Sequence, residues 1–242
     1  MMKEKGKMQS QHYFIWNGID SRTMGVKVLA YPPPVRPKER VEYVTIPGIS
    51  GDLAIKEGKD IYESYTRPME LRNCRGFSVD AVRKWLSGEG KMIYGCEPEY
   101  VYDVDLSAVQ QYDYFVNGIW RCTLQMRTQP LKERLYTRPE TLTEAGTIRN
   151  SGDVEAKPII LAYPAQNATS MNISVNGYTL TISNVTGAVL IDCDAQEATD
   201  PDRTVLLTND TGGPFPVFQV GDNTVGGTGW STLEIDKQER FR

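Results

Sequence analysis

The sequence predicts a mainly β protein in two parts, an α+β N-terminal domain with one short helix and a hairpin arm, then a C-terminal antiparallel β-sandwich. Three observations lead there. The chain of 242 residues, 40% hydrophobic and 24% charged, exceeds what one small core takes up. Alternating patterns bounded by turn residues dominate, and one stretch alone has helical spacing. Beyond residue 140, short strand-like runs recur at about the eight- to twelve-residue spacing of a sandwich.

Residues 1–12, a polar leader or an expression remnant, lack the apolar core of a secretion signal, so the chain is expected to be made and kept in the cytoplasm. Tyr13 to Trp16 reads as the first strand, Asn17-Gly18 as its hairpin turn, and Ile19, Met24, Val26 and Val28 as a partner strand. Pro32, Pro33, Pro34 and Pro37 make a stiff spacer without sheet donors. Residues 41–65 follow, VEYVTIPGISGDLAIKEGKDIYESY, in which β-branched and aromatic runs flank Pro47-Gly48 and Ser50-Gly51-Asp52. This is a long hairpin arm, with Leu53 and Ile55 directly after the turn and a second strand-like run at 60–65. Its charged margins (Lys38, Glu39, Arg40, Glu42, Lys56, Glu57, Lys59, Asp60) keep an unpaired hairpin soluble until it meets a partner edge, as strand addition between subunits requires. An ordinary hairpin inside one domain has the same pattern.

The helix lies between Cys74 and Gly90. Ser78 is placed to cap it, Asp80 suits its first turn, Val79, Val82, Trp85 and Leu86 share a face, and Gly88 stops it. Residues 91–94, 100–104 and 120–127 read as strands, the last after an Asn117-Gly118 turn. Residues 131–140 lose periodicity and contain Arg138-Pro139, so the N-terminal domain is set at 13–135 and the sandwich at 136–242. Sandwich strands are expected at 147–150, 158–162, 171–175, 178–182, 187–192, 204–207, 216–220 and 232–235, with Asn176-Gly177 as a two-residue turn and Gly226-Gly227-Thr228-Gly229 as another.

Charge and motif content exclude several function classes. Residues 1–130 hold 18 basic and 16 acidic side chains and the remainder 9 and 15, so neither part has the basic face that duplex binding needs. No run has the roughly 20 apolar residues of a membrane helix. Cys74, Cys96, Cys122 and Cys193 contain no CxxC pair and read as free thiols. The single histidine, His12, argues against a histidine-based triad and against multi-imidazole metal sites. The acidic loop Asp192, Asp194, Glu197, Asp200, Asp202 fails the EF-hand pattern at Gln196 and Glu197, leaving Asp192 and Asp194 as weak ion ligands. The acceptor motifs at Asn167, Asn172, Asn184 and Asn209 carry little weight without a secretion signal. Tyr163, Tyr178 and Trp230 are candidate platforms for a sugar ring, or plain core and edge aromatics.

In order along the chain, FIWNGIDSRTMGVKV (14–28), VTIPGISGDL (44–53), VRKWLSGEGKMIY (82–94) and RCTLQMRTQP (121–130) resemble the N-terminal domain of the distal tail proteins of long-tailed, non-contractile bacteriophages and prophages. TIRNSGDVEAKPII (147–160), VNGYTLTI (175–182), AVLIDCD (188–194) and GGPFPVFQVGDNTV (212–225) resemble the family's second half. The resemblance implies a hexameric ring of N-terminal domains at the distal end of the virion tail, assembled in the host cytoplasm, which joins the tail tube protein to baseplate or tail-tip proteins. It implies that the arm completes a sheet with a neighbouring subunit, with Val44, Ile46, Pro47, Gly48, Gly51, Leu53 and Ile55 at that interface. It implies a galectin-like or carbohydrate-module-like C-terminal sandwich, no cofactor, no catalysis, no membrane insertion, and DNA only passing through the lumen, whose lining should be acidic or mixed. The rival readings are a carbohydrate-binding accessory module for host-surface recognition and, behind it, a glycan-degrading enzyme.

Overall fold

The computed structural model describes residues 12–74, 78–115, 118–207 and 210–242. The leader before His12, Asn117 of the expected turn and Asn209 lie outside the described residues. The chain divides into two compact units, one ending at Leu135 and the other spanning Tyr136–Arg242.

The opening hairpin forms as its residues dictate. Phe14–Trp16 (β1) turns through Asn17 and Gly18, at φ 48° and 79°, into Ile19–Asp20 (β2), with Trp16 opposite Ile19. The partner strand then ends early. The Asp20 carboxylate accepts from the Arg22 amide and guanidinium, Gly25 adopts φ 63°, and the chain turns away. Val26–Ala30 (β3) therefore pairs with Tyr65–Asn73 (β6) and not with β1, a correction to the single partner strand expected from the sequence.

Between β3 and β6 lies the arm, Val41–Thr45 (β4) and Asp52–Lys56 (β5). The helix Val79–Trp85 (α1) follows, then Glu89–Tyr94 (β7), Glu97–Asp105 (β8), Tyr112–Phe115 (β9) and Ile119–Arg134 (β10). Strand order across the N-terminal sheet is β2-β1-β7-β8-β10-β6-β3, with β9 also on β10. β6, β7 and β10 turn alternate residues inward, so Met69, Leu71, Met92, Trp120, Leu124 and Met126 are all buried in one cluster with Val82 of the helix and Leu86 that caps its C-terminus. Trp85 stacks on Phe14 at 5.5 Å, and its carbonyl accepts from the Trp16 indole, which makes it the anchor that its spacing predicts. Ser78 occupies the cap position with extended backbone, but its hydroxyl makes no capping bond.

β10 runs to Arg134, past the point where the sequence loses its alternation. From Trp120 to Thr128 its alternate residues are buried, and Arg121 to Thr128 pair with β6; the pairing with β8, opened at Arg127 and Thr128, then shifts register and resumes from Lys132 to Arg134. Its last part is half-buried on both faces, which erases the period-two signal without ending the strand.

The second unit opens with Glu140–Leu142 (β11), Gly146–Asn150 (β12), Ile159–Pro164 (β13), Met171–Val175 (β14), Tyr178–Ile182 (β15), Val189–Asp192 (β16), Glu197–Thr199 (β17) and Thr211–Gly212 (β18). Gly221–Thr228 (β19), Trp230–Asp236 (β20) and Arg240–Phe241 (β21) complete it. Two antiparallel sheets form, β11-β20-β13-β16-β17 and β12-β19-β14-β15-β18. Ile160, Ile191 and Ile235 of the first sheet meet Ile173, Leu180 and Val225 of the second in one buried cluster, the sandwich core.

Two expected strands are not strands. At 204–207 the Asp200 carboxylate accepts from the Thr204 and Val205 amides and bends the chain into a loop, leaving one bridge, Thr199 to Leu206. At 216–220 Pro214 and Pro216 withhold donors, and only Phe218 bridges Ala156.

In their place β19 runs through Gly226-Gly227-Thr228, which the sequence presents as a turn. Glycine is there because another backbone is close: at Gly227, φ 128°, a Cβ would meet the Asn172 carbonyl oxygen at 1.9 Å. Gly227→Ala should lower stability by about 2–3 kcal/mol in urea unfolding, whereas Gly187→Ala, with nothing within 4 Å, should change it little. Equal effects of the two would remove the close-approach account.

Candidate functional site

The arm is the part of the first unit that its own core does not use. β4 and β5 form a two-stranded sheet by themselves, pairing Val41 with Lys56, Glu42 with Ile55, Tyr43 with Ala54, Val44 with Leu53 and Thr45 with Asp52. A lone two-stranded hairpin is marginal in water. This one is fixed at its root, where the Arg40 amide donates to the Ile61 carbonyl, Glu63 donates to Lys38, and Glu39 bridges Tyr62. Three ion pairs tie the same turn of chain, Lys38 to Glu63, Lys56 to Glu39 and Arg40 to Glu57. All are exposed, so they set register more than they add stability.

At the tip the Ile49 amide donates to Ile46 around Pro47-Gly48, with Gly48 at φ 86°, the geometry of a turn that needs glycine in third place. Gly51 at φ 89° and a bond from the Thr45 hydroxyl to the Asp52 carboxylate complete the reversal. The return strand is thus 52–56, which holds Leu53 and Ile55; the further run expected at 60–65 is not part of the hairpin, since Tyr62 belongs to the root and Tyr65 to β6.

The pairing sorts the arm's side chains onto two faces. Tyr43 shares one with Val41, Ala54 and Lys56, on an open cleft of about 380 Å³ that Arg36, Pro37 and Tyr62 also line. Glu42, Val44, Leu53 and Ile55 share the other, with Leu53 51% and Ile55 45% exposed. Ile46, Pro47, Gly48 and Gly51 sit at the tip beside Ile49, 63% exposed. The seven interface candidates thus fall on one face and one end. Tyr43 and Ile49 are exposed arm residues that the candidate set left out, though the alternation of Tyr43 with Val41 was readable.

The other candidates stand elsewhere. Asp192 accepts from the Asp194 and Ala195 amides and pairs with Arg203. Asp194 pairs with Lys157 at 2.8 Å and with Arg240 at 3.3 Å. Both acids are therefore spent on amides and cations, and among the described residues no group of three acids, histidines or thiols is placed to hold a metal.

The Lys157 hydrogen bond, with Arg240 beside it, holds the Asp194 carboxyl below its ordinary 3.8. A lowered folded value means stability that is full above about pH 4 and lost as pH falls through the folded value. Because the pair is half-exposed, Asp194→Asn should cost under about 1 kcal/mol at pH 7 and less at pH 2. A loss that grows on acidification would reverse that assignment.

Tyr178 lies over a cleft of about 540 Å³ with Phe215, Pro214, Pro216 and Asn176. The Asn176 amide there already donates to Asn223 and accepts from Thr224. Trp230 packs against the core and Tyr163 is at the margin. Buried thiols Cys122 and Cys193 are pushed upward by burial, Cys122 to about 11, and are poor nucleophiles.

A two-unit, mainly β protein with a projecting hairpin is the class that fold and arm define. In structure the chain is similar to SPP1 Dit, whose crystal structure was presented as a paradigm of the hub adsorption apparatus in phages infecting Gram-positive hosts. The TM-score is 0.71 at 16% identity, over 95% of this chain and 99% of that one. No protein-family model matches the chain. No curated protein matches it in sequence. The resemblance read from the ordered sequence fragments is thus borne out as a likeness of fold along both units.

Proposed function

We propose that this chain is a structural subunit of a phage tail, a distal tail protein that forms a ring, most simply of six copies, between the tail tube and the tail-tip proteins. The observation that carries this reading is the near end-to-end likeness to SPP1 Dit. Fold alone admits many functions, so the reading also leans on the arm, whose exposed apolar face has no place in its own unit. A ring subunit needs two unlike surfaces that meet head to tail, and the arm supplies one. No bond is made or broken in this role. DNA slides through the lumen of such a ring, which favours an acidic or mixed lining with no basic track to hold phosphates. Native mass measurement and negative-stain microscopy of the full chain, alone and with the tail tube protein, should find rings. A monomer under both conditions would remove the proposal.

A second reading, sugar recognition by the C-terminal unit, is favoured by the Tyr178 cleft alone. A glycan array probed with the full chain and with Tyr178→Ala should show binding lost in the variant; an empty array rejects it.

A further inference from the structure

The solvent face of the N-terminal sheet carries a row of like charge. Lys27 on β3 stands opposite Arg72 on β6, Arg72 opposite Arg121 on β10, and Arg121 opposite Asp113 on β9. Directly opposed cations repel each other. All three are exposed, and among the described residues none has an ion pair, in contrast to Arg22, Lys38, Arg40, Lys56, Lys91 and Lys132. Asp113 is hydrogen-bonded by Gln111 instead of by Arg121.

Exposed apolar side chains border this row. Phe115 and Ile119 stand opposite each other on the same face, 51% and 38% exposed, and the Arg121 guanidinium lies 5.4 Å from the Phe115 ring centre. Leu29 lies at the other end, in a small cleft with Lys27 and Arg72. A positive stripe edged by apolar groups suits an apolar ribbon that carries an acid without an ion pair.

The same chain carries such a ribbon. On one face of the arm Glu42 stands beside Val44, Leu53 and Ile55, and Glu42 lacks an ion pair among the described residues while Glu39 and Glu57 have theirs. We infer that the Glu42 face of one copy's arm seats on the Lys27, Arg72, Arg121 row of the next copy, with Glu42 among the cations and Val44, Leu53 and Ile55 on Phe115 and Ile119. The two patches differ, so the contact is heterologous and repeats around a ring. The inference rests on the ring proposed above and names the surface that receives the arm.

The test uses full-length chains with Cys96→Ser, which removes the exposed thiol. Chains with Leu53→Cys and chains with Ile119→Cys are mixed under mild oxidation. A mixed disulfide dimer should form, absent from either chain alone. Glu42→Arg should lower its yield roughly tenfold, as should Arg121→Glu, and the two changes on opposite partners should restore it. Rings without this dimer would overturn the inference and leave the ring standing. The dimer without closed rings would support the contact and remove only the ring. Neither product would overturn both. An Arg121→Glu chain that crosslinks as well as its parent would assign the row to another anion, nucleic-acid phosphate included, and overturn the pairing.

Discussion

Deleting residues 48–59 is expected to abolish rings and leave a folded monomer. Every residue in that span is exposed, so its loss removes nothing from either core. It does remove β5, and with it Leu53, Ile55 and the whole tip. The root survives, because the Glu39 bridge to Tyr62 and the Lys38 to Glu63 pair lie outside the deletion. Shortening a surface loop changes its closure entropy only slowly. The midpoint of thermal unfolding should therefore stay within about 3 °C of the parent. Light scattering would report the mass and circular dichroism the fold. Rings of parental size would exclude the arm as the assembly device, and an unfolded product would mean that the arm is part of its own domain.

Trp120→Ala is expected to give the largest loss of stability among single substitutions in the first unit, about 3–5 kcal/mol. Its side chain is 1% exposed, and the Tyr112 ring meets it edge-on at 5.2 Å. The Asn73 side chain accepts from the Trp120 amide and donates to the Gly118 carbonyl, which fixes the strand that presents the indole. Calorimetry should show the transition of the first unit fall while that of the second holds, since the two cores share no residue. A uniform fall of both would mean that the units unfold as one.

Much of this fold was legible because local chemistry was enough to decide it. Asn17-Gly18 and Asn176-Gly177 accept positive φ without strain, and both hairpins form where those pairs stand. Val82, Trp85 and Leu86 recur at helical spacing and face the core. The arm was visible for the same reason, as turn residues between alternating runs with charged margins. Local rules failed where partners came from far away. β3 looks like a continuation of β2, and only the distant β6 makes it an edge strand. β19 is rich in glycine, which signals a turn until β14 is found pressed against it.

The candidate site divides in the same way. Sequence gave the apolar arm residues, since exposure of an unpaired hairpin follows from its own pattern. It did not give the cationic row, because Lys27, Arg72 and Arg121 are scattered along the chain and ordinary when taken singly. Pairing register alone sets them side by side.

What the sequence determined by itself was the mainly β class, the turns at Asn17-Gly18, Pro47-Gly48 and Asn176-Gly177, the helix and the arm's existence, each governed by residues a few positions apart. Only the tertiary structure decided which strands adjoin, which glycines yield to a neighbouring backbone, and which charges face one another. Those depend on pairings between segments tens of residues distant, and no local preference encodes them.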